Sequence, residues 1–257
     1  MFFRSLLRMS DLDDLVLEIR SRALPGSFSV IVTDIDGTIT EDDRSLSLSA
    51  AKTVQEYAGK IPIVLASGNT LCFTRAVAKV LRTNAPVIAE NGGIVLEEYD
   101  GNPVVNDSYL PEMRKALSVL QEHFEFVVFD SYDRQTDIAF SKTFDVEKAR
   151  HIISGFSELS IVDAKYAAHL VGKRINKGTA LKQVADFYGI SPENIVAIGD
   201  SANDIEMFHE AGLSFAVANA PDFVKKEADI VLSKKFGDGF SDAVLALDEA
   251  GVLKFRK

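Results

Sequence analysis

The chain has 257 residues, which fits one large domain or two modest ones, and its 47% hydrophobic and 26% charged residues are typical of a globular protein. With 28 Lys and Arg against 38 Asp and Glu, the net charge of −10 argues against a nucleic-acid or anionic-membrane partner. The single cysteine, Cys72, excludes an internal disulfide framework, and no apolar run is long enough to span a membrane, so we expect a cytoplasmic protein.

The first predicted element is an amphipathic helix near the N-terminus. It begins near Ser10 and runs to about Ala23, where Pro25 and Gly26 end it. Apolar residues recur along it at i, i+3, i+4 and i+7, namely at Leu12, Leu15, Val16 and Ile19. One apolar stripe is typical of a helix that packs on its own core or on a second copy. We therefore treat 1–27 as a helical extension and expect a monomer or a homodimer.

An apolar run at 30–33 then breaks abruptly into two carboxylates, Asp34 and Asp36, followed by Gly37 and Thr38. This pattern indicates a buried parallel strand whose C-terminal end opens into a site. Two carboxylates about 4 Å apart repel by roughly 4 kcal/mol at an effective dielectric constant of 20. A bound cation, a shared proton or full exposure would relieve the repulsion, and the apolar run argues against exposure. A simple strand-ending turn is the alternative.

Strands and helices alternate in the stretch that follows. This alternation predicts right-handed βαβ units and a parallel sheet. The first strand of the stretch ends in Ser67, Gly68 and Asn69, and the second ends in Glu90 and Asn91. The predicted elements, in chain order, are a helix at 49–59, a strand at 61–66, a helix at 71–81 and a strand at 86–89.

The pattern changes after residue 94, where short strands are mixed with two helices. Such a mixture predicts a small α+β module of 108–171, inserted between core segments 28–107 and 172–257. The predicted elements are a hairpin at 94–96 and 104–105, helices at 111–123 and 146–156, and strands at 126–129, 137–141, 159–162 and 168–171.

The alternating pattern resumes near Lys177 and completes a Rossmann-like α/β core. A strand at 195–198 ends in a second acidic cluster, Asp200, Asn203 and Asp204. The other predicted elements are a helix at 178–188, strands at 215–217 and 230–232, and a C-terminal helix at 241–249.

Three apolar strands thus end in polar clusters, and ligands of open α/β sheets bind outside the carboxyl ends of the strands. Asp34, Asp36, Asp200 and Asp204 are hard oxygen ligands without histidine or thiol, a composition that suits Mg²⁺. Lys177 precedes a helix and could offer a positive charge to the same site, the alternative being a solvated lysine.

These motifs, in this order, resemble the signature of haloacid dehalogenase-superfamily phosphatases. The first motif contains Asp34 and Asp36. The second contains Ser67, the third is Lys177, and the fourth is the cluster that starts at Asp200. The short gap after the first motif leaves no room for a cap, and the long insert before Lys177 resembles the cap of the Cof-like branch. Within that branch the chain is most similar to archaeal phosphoglycolate phosphatases, apart from its N-terminal helix.

The resemblance implies catalytic and metal-binding roles. Asp34 would be the nucleophile that forms an aspartyl-phosphate, and Asp36 would protonate the leaving alkoxide and then activate water. The side chains of Asp34 and Asp200 and the backbone carbonyl of Asp36 would hold Mg²⁺. Asp204 would hold it directly or through water.

The resemblance also implies residues that bind the substrate. Ser67 and Lys177 would bind the phosphoryl oxygens, and Asn203 would help orient them. In the cap, Arg134 and His169 resemble positions where relatives carry Arg and His. Arg134 could pair with a substrate carboxylate, or instead form a surface salt bridge with a neighbouring aspartate (Asp133 or Asp137). His169 lies among apolar residues, a setting that favours a structural histidine over a ligand.

We therefore expect a Mg²⁺-dependent phosphatase of small phosphomonoesters, with 2-phosphoglycolate as the leading substrate. A sugar-phosphate or sucrose-phosphate-type phosphatase is the nearest alternative. A phosphosugar mutase would share the motifs but retain the phosphoryl group. A non-enzymatic Mg²⁺- or phosphate-binding module is the most distant alternative, because the aspartates and the lysine of the motifs are all present.

Overall fold

The computed structural model describes residues 11–164 and 166–256, so Ser10, the predicted start of the first helix, lies outside them. The strands, in chain order, are β1 (Val30–Asp34), β2 (Ile63–Ala66), β3 (Val87–Ala89), β4 (Ile94–Leu96), β5 (Val104–Val105), β6 (Val128–Phe129), β7 (Ile138–Phe140), β8 (Leu159–Asp163), β9 (Ala168–Gly172), β10 (Ile195–Gly199), β11 (Leu213–Ala216) and β12 (Ile230–Val231). The α-helices are α1 (Asp11–Arg22), α2 (Leu48–Tyr57), α3 (Leu71–Leu81), α4 (Leu110–His123), α5 (Val146–Ile152), α6 (Lys177–Tyr188), α7 (Ile205–Glu210), α8 (Asp222–Lys225) and α9 (Phe236–Glu249).

The larger sheet has the strand order β12-β11-β10-β1-β2-β3-β4-β5. All neighbours from β12 to β3 are parallel, as the alternating sequence predicted, and the β4–β5 hairpin adds an antiparallel edge. In the register, Asp34 lies opposite Ala66 and Thr33 opposite Ile198. The polar residues that follow β1, β2 and β10 therefore meet at one edge of the sheet. The α/β fold with a parallel-sheet core is confirmed.

Helices cover both faces of this sheet, and the alternation of side chains along the strands creates two cores. On β1, Ile31 contributes to one core, whereas Val30 and Val32 contribute to the other. Helix α1 packs on the first of these cores and contacts α9. Arg20 of α1 also donates to the carbonyl oxygen of Glu249 (2.8 Å). The N-terminal helix is thus packed on its own chain.

The smaller sheet is antiparallel, with the strand order β6-β7-β9-β8. Alternate residues of β7 and β9, such as Phe140 and Leu170, pack in a third core with α4 and α5. The residues between them, Ala139 and His169, are paired in the register and line a cavity on the opposite face. The period of two along these strands therefore turns His169 toward the larger sheet. The domain boundaries near 108 and 172 remain predictions.

Some elements differ from the sequence-based prediction. Helices α7 and α8 were missed, and α9 begins at Phe236 rather than near 241. The first turn of α9 was not predicted because it contains Gly237 and Gly239, and glycine is a poor helix former. The helix predicted to reach 156 ends at Ile152, where a 3-10 turn replaces it. None of the described helices is long and apolar enough to cross a membrane.

Candidate active site

Lys177 joins two of the predicted site aspartates in the interior of the protein. Its Nζ atom donates to Asp34 Oδ1 (2.5 Å) and to Asp204 Oδ1 (2.7 Å). Lys177 is the first residue of α6, whose start is fixed by a capping box between Asn176 and Thr179. The lysine is fully buried, so the alternative of a solvated lysine is wrong. Burial disfavours its charge, but the two carboxylates outweigh burial and raise its pKa.

Asp34 is the last residue of β1, and its surroundings disfavour the ionised form of its carboxylate. Burial, together with Asp204, Asp200 and Asp36, raises its pKa well above the ordinary value, although Lys177 acts in the opposite direction. Within the described part of the chain, its Oδ2 atom is buried without a hydrogen-bond partner. Oxygen atoms of Asp34, Asp200 and Asp204 lie within 4.8 Å of one another, so this cluster could hold a metal ion.

Asp200 follows β10 and lies directly against the Gly37 backbone. A Cβ atom on Gly37 would lie 2.3 Å from Asp200 Oδ2, and the φ of Gly37 is +93°, so only glycine fits here. Thr38 Oγ1 donates to Asp200 Oδ1 (3.3 Å), and Asn219 Nδ2 donates to Asp200 Oδ2 (3.1 Å) and to the carbonyl oxygen of Gly37 (2.8 Å). The residues that follow Asp36 in the first motif therefore pack directly against Asp200 of the last motif.

Asp204 shapes the loop that carries Asp200. Its Oδ2 atom accepts from the backbone N–H groups of Asp200 and Ser201, both at 2.9 Å, while its Oδ1 atom accepts from Lys177. Both oxygens are thus already bonded to protein donors. Asn203, in the same loop, donates to Asn91 Oδ1 (2.9 Å) and accepts from Ser201 Oγ (2.5 Å).

Asp36 and Ser67 differ in their access to solvent. Asp36 is half-buried, and its carboxylate accepts from Asn69 Nδ2 (2.6 Å) and Arg44 Nε (3.4 Å). Among the described residues its side chain is not part of the three-carboxylate cluster. Ser67 is buried, and its Oγ atom accepts from the backbone N–H of Asn69 (3.0 Å).

A cavity of about 530 Å³ opens between the carboxyl edge of the larger sheet and the smaller sheet. It brings together predicted residues from both sheets: Asp34, Asp36, Arg134, His169 and Asn203. The other predicted residues, Ser67, Lys177, Asp200 and Asp204, are buried and are not among the lining residues of this cavity.

Arg134 and His169 share one carboxylate, Asp137. Arg134 Nη1 donates to Asp137 Oδ1 (2.6 Å) and to the carbonyl oxygen of Gly68 (3.0 Å), and His169 Nδ1 lies 2.8 Å from Asp137 Oδ2. The salt bridge with Asp137 is therefore present, but it is buried rather than on the surface. Asp137 is fully buried, which opposes its charge, yet His169 and Arg134 lower its pKa.

Three residues of this site had no role predicted for them. Asn91 was noted only as the end of a strand, Asp137 only as a possible salt-bridge partner of Arg134, and Asn219 was not singled out. Asn91 and Asn219 follow β3 and β11, so the rule that selected the other motifs, a polar residue just past an apolar strand, was available for both. Asp137 precedes a strand of the smaller sheet, where no comparable pattern marks it.

Comparison with known proteins agrees with this geometry. The family model of haloacid dehalogenase-like hydrolases matches residues 31–151 and 132–244. A phosphoglycolate phosphatase of Methanosarcina acetivorans is 44% identical over 225 residues, which cover 87% of this chain and 98% of that protein. A phosphoglycolate phosphatase of Methanosarcina mazei is 43% identical over 225 residues, with the same coverage of 87% and 98%.

The fold is also similar to that of solved structures. The crystal structure of Thermoplasma acidophilum 0175 has a TM-score of 0.76 and 25% sequence identity to this chain, and the match covers 88% of this chain and 99% of that one. The residues matched by the family model include strands of both sheets and every motif of the site. The chain therefore belongs to the haloacid dehalogenase-like hydrolases and is a phosphatase of that family.

Proposed function

We propose that this enzyme is a Mg²⁺-dependent phosphatase that hydrolyses 2-phosphoglycolate to glycolate and phosphate. The observation that carries the proposal is a single cavity lined by Asp34 and Asp36 on one side and by Arg134 and His169 on the other. A small substrate with a phosphoryl group at one end and a carboxylate at the other matches this arrangement. That the archaeal relatives are phosphoglycolate phosphatases supports the same substrate.

In the proposed first step, a carboxylate oxygen of Asp34 attacks the phosphorus atom and the bond to the glycolate oxygen breaks. Asp36 gives its proton to the departing alkoxide, and an aspartyl-phosphate remains. Asp36 then takes a proton from water as that water attacks phosphorus, which releases phosphate and restores Asp34. The bond from Asn69 and the contact with Arg44 support this role, because they hold the Asp36 side chain at the cavity wall.

The buried residues beneath the cavity support the binding of a negatively charged phosphoryl group. Lys177 would hold Asp34 in place and stabilise the negative charge that develops on the phosphoryl group. Ser67 and Asn203 would complete the phosphoryl site. Ser67 is buried and its hydroxyl already accepts from a backbone N–H, so it would have to donate its own proton to the phosphoryl group.

The donor set fits a divalent cation. Three buried carboxylates face one lysine, which leaves excess negative charge, and Asp34 Oδ2 has no partner among the described residues. We propose Asp34, Asp200 and the backbone carbonyl of Asp36 as Mg²⁺ ligands. Asp204 would act through water, because its two oxygens accept three short hydrogen bonds (2.7–2.9 Å) from Lys177 and two backbone N–H groups, whereas the bonds from Thr38 and Asn219 to Asp200 are longer (3.3 and 3.1 Å). Bound Mg²⁺ would neutralise charge on the phosphoryl oxygens.

The Arg134→Lys variant tests the substrate directly. Lysine keeps the charge but loses the planar fork that matches a carboxylate. We expect kcat/KM for phosphoglycolate to fall by about tenfold or more, and kcat/KM for a neutral aryl phosphate to change by less than about threefold. Steady-state kinetics on both esters measure the two ratios.

Arg150→Lys is the matched control, because Arg150 lies on α5, which packs against the smaller sheet, and its partners are Glu147 and the carbonyl oxygen of Ile161 rather than residues of the cavity. It should leave both ratios unchanged. Equal losses on the two esters in Arg134→Lys would contradict recognition of the carboxylate by Arg134.

A further inference from the structure

Asp137 is a buried carboxylate at the start of β7 that three side chains surround with donors. Arg134 Nη1 contacts one of its oxygens at 2.6 Å. His169 Nδ1 and Asn91 Nδ2 contact the other oxygen at 2.8 Å and 3.1 Å. A buried carboxylate is costly unless it is paired and hydrogen-bonded, and Asp137 meets both conditions. Arg134 and His169, the two predicted recognition residues, are thus held by one anchor.

The charge of Asp137 sets the direction of a hydrogen-bond chain that leaves the smaller sheet. An ionised carboxylate can only accept, so Asn91 must turn its NH₂ group toward Asp137 and its carbonyl away. That carbonyl accepts from Asn203 Nδ2 (2.9 Å), and the Asn203 carbonyl accepts from Ser201 Oγ (2.5 Å). The chain therefore ends at Ser201, next to the metal-site residue Asp200.

Glu90 and Asn91 both have an unusual backbone conformation, which places the Asn91 side chain between Asp137 and Asn203. Asn91 has a φ of +55° and Glu90 a φ of +49°, the left-handed region that ordinary residues avoid and asparagine tolerates better than most. Strain of this kind persists only where the surrounding structure holds it. A Cβ atom on Gly68 would lie 2.9 Å from Asn91 Oδ1, so the glycine of the second motif leaves room for the asparagine side chain.

The segment that carries Asp137 is also tied to the larger sheet. Glu90 Oε2 accepts from the backbone N–H groups of Gln135 (2.9 Å) and Thr136 (2.7 Å) and from Thr136 Oγ1 (2.8 Å). Arg134 in turn donates to the carbonyl oxygen of Gly68. Four residues in a row, 134–137, are therefore bonded to the segments that follow β2 and β3. Asp137 is held in place relative to the catalytic edge.

We propose that Asp137 is a positioning residue for substrate recognition, and that Asn91 links it to the Asn203 loop. Asp137 keeps the proton of His169 on Nδ1, which leaves Nε2 as the ring nitrogen for the ligand. It also holds Arg134 by Nη1, whereas Nη2 faces Asp130 at 3.7 Å and the buried Nε has no hydrogen-bond partner among the described residues. The inference rests on the proposed function, because the ligand group it serves is the substrate carboxylate.

The test is Asp137→Asn, assayed with phosphoglycolate and with a neutral aryl phosphate. The amide accepts through its oxygen only, so it cannot accept from both Arg134 and His169 Nδ1; it can hold both only if the His169 proton moves from Nδ1 to Nε2. We expect kcat/KM for phosphoglycolate to fall by about tenfold to a hundredfold, mainly through KM, and the aryl phosphate value to change by less than about threefold. The matched control is Asp163→Asn, which removes an exposed aspartate paired with Lys142 and should change neither value.

A second measurement does not depend on activity or on the variant folding. Long-range ¹H–¹⁵N NMR of ¹⁵N-histidine-labelled wild-type enzyme reports which ring nitrogen of His169 carries a proton, with the signals assigned by their loss in His169→Gln. We expect a proton on Nδ1 at neutral pH, and a shift of that proton in folded Asp137→Asn. An unprotonated Nδ1 in the wild type would overturn the inference.

The outcomes separate this inference from the proposed function. If wild-type enzyme prefers phosphoglycolate but Asp137→Asn loses nothing, or loses equally on both esters, positioning by Asp137 is wrong and the function stands. If wild-type enzyme shows no preference for phosphoglycolate, the proposed substrate is wrong. The His169 spectrum then decides alone whether Asp137 orients the histidine.

Discussion

Replacement of Asp34 by asparagine is expected to abolish turnover of every phosphomonoester while the protein remains folded. The amide cannot attack phosphorus, so the loss should reach at least ~10⁴-fold and could approach the ~10⁶-fold seen when a serine protease loses its nucleophile. The fold should survive because Asn is nearly isosteric and can still accept from Lys177, and because burial already disfavours the charge of Asp34 and raises its pKa. Phosphate release and thermal melting measure the two effects.

The control for this variant is Asp186→Asn, which removes a carboxylate from the exposed face of α6. It should keep wild-type activity and stability. If Asp34→Asn retained substantial turnover in the same assay, Asp34 would not be the nucleophile.

Lys177→Met should produce the largest loss of stability of any variant considered. Methionine fills a similar volume but leaves Asp34 and Asp204 buried without their shared cation. Removal of one partner from a buried ion pair lowers the free energy of unfolding by roughly 3–5 kcal/mol. Denaturant unfolding monitored by circular dichroism measures the loss, and activity should vanish with it.

Lys182→Met is the matched control for the lysine variant. Lys182 lies on the same helix, but it is exposed and pairs with Glu210 at the surface, where an ion pair contributes little. Its free energy of unfolding should change by less than about 1 kcal/mol. If Lys177→Met were as stable as this control, the central ion pair would not stabilise the fold.

The residues at the catalytic edge could be predicted because one physical rule applies to them. An apolar strand that ends in a polar residue marks the carboxyl edge of a parallel sheet, and it identified Asp34, Ser67 and Asp200. The same rule placed Asn91 at the end of a strand without giving it a role, and it also covers Asn219, where a single asparagine after a strand suits a simple turn.

Other features depend on contacts between distant parts of the chain. Whether Lys177 is buried or solvated is decided by Asp34 and Asp204, which lie 143 and 27 residues away in the sequence. The bond of Asp137 to Asn91 exists only because the smaller sheet packs over the larger one, and its contact with His169 depends on the pairing of β7 with β9. No local periodicity encodes that packing.

The most direct test of this account is phosphate release by wild-type enzyme over a panel of phosphomonoesters, with Mg²⁺ and with the metal removed by EDTA. We predict that kcat/KM for 2-phosphoglycolate exceeds that for every sugar phosphate and nucleotide by about tenfold or more, roughly 1.4 kcal/mol of transition-state discrimination. Release should stop in EDTA and return with Mg²⁺. A flat profile across the panel, or release that persists in EDTA, would contradict the account.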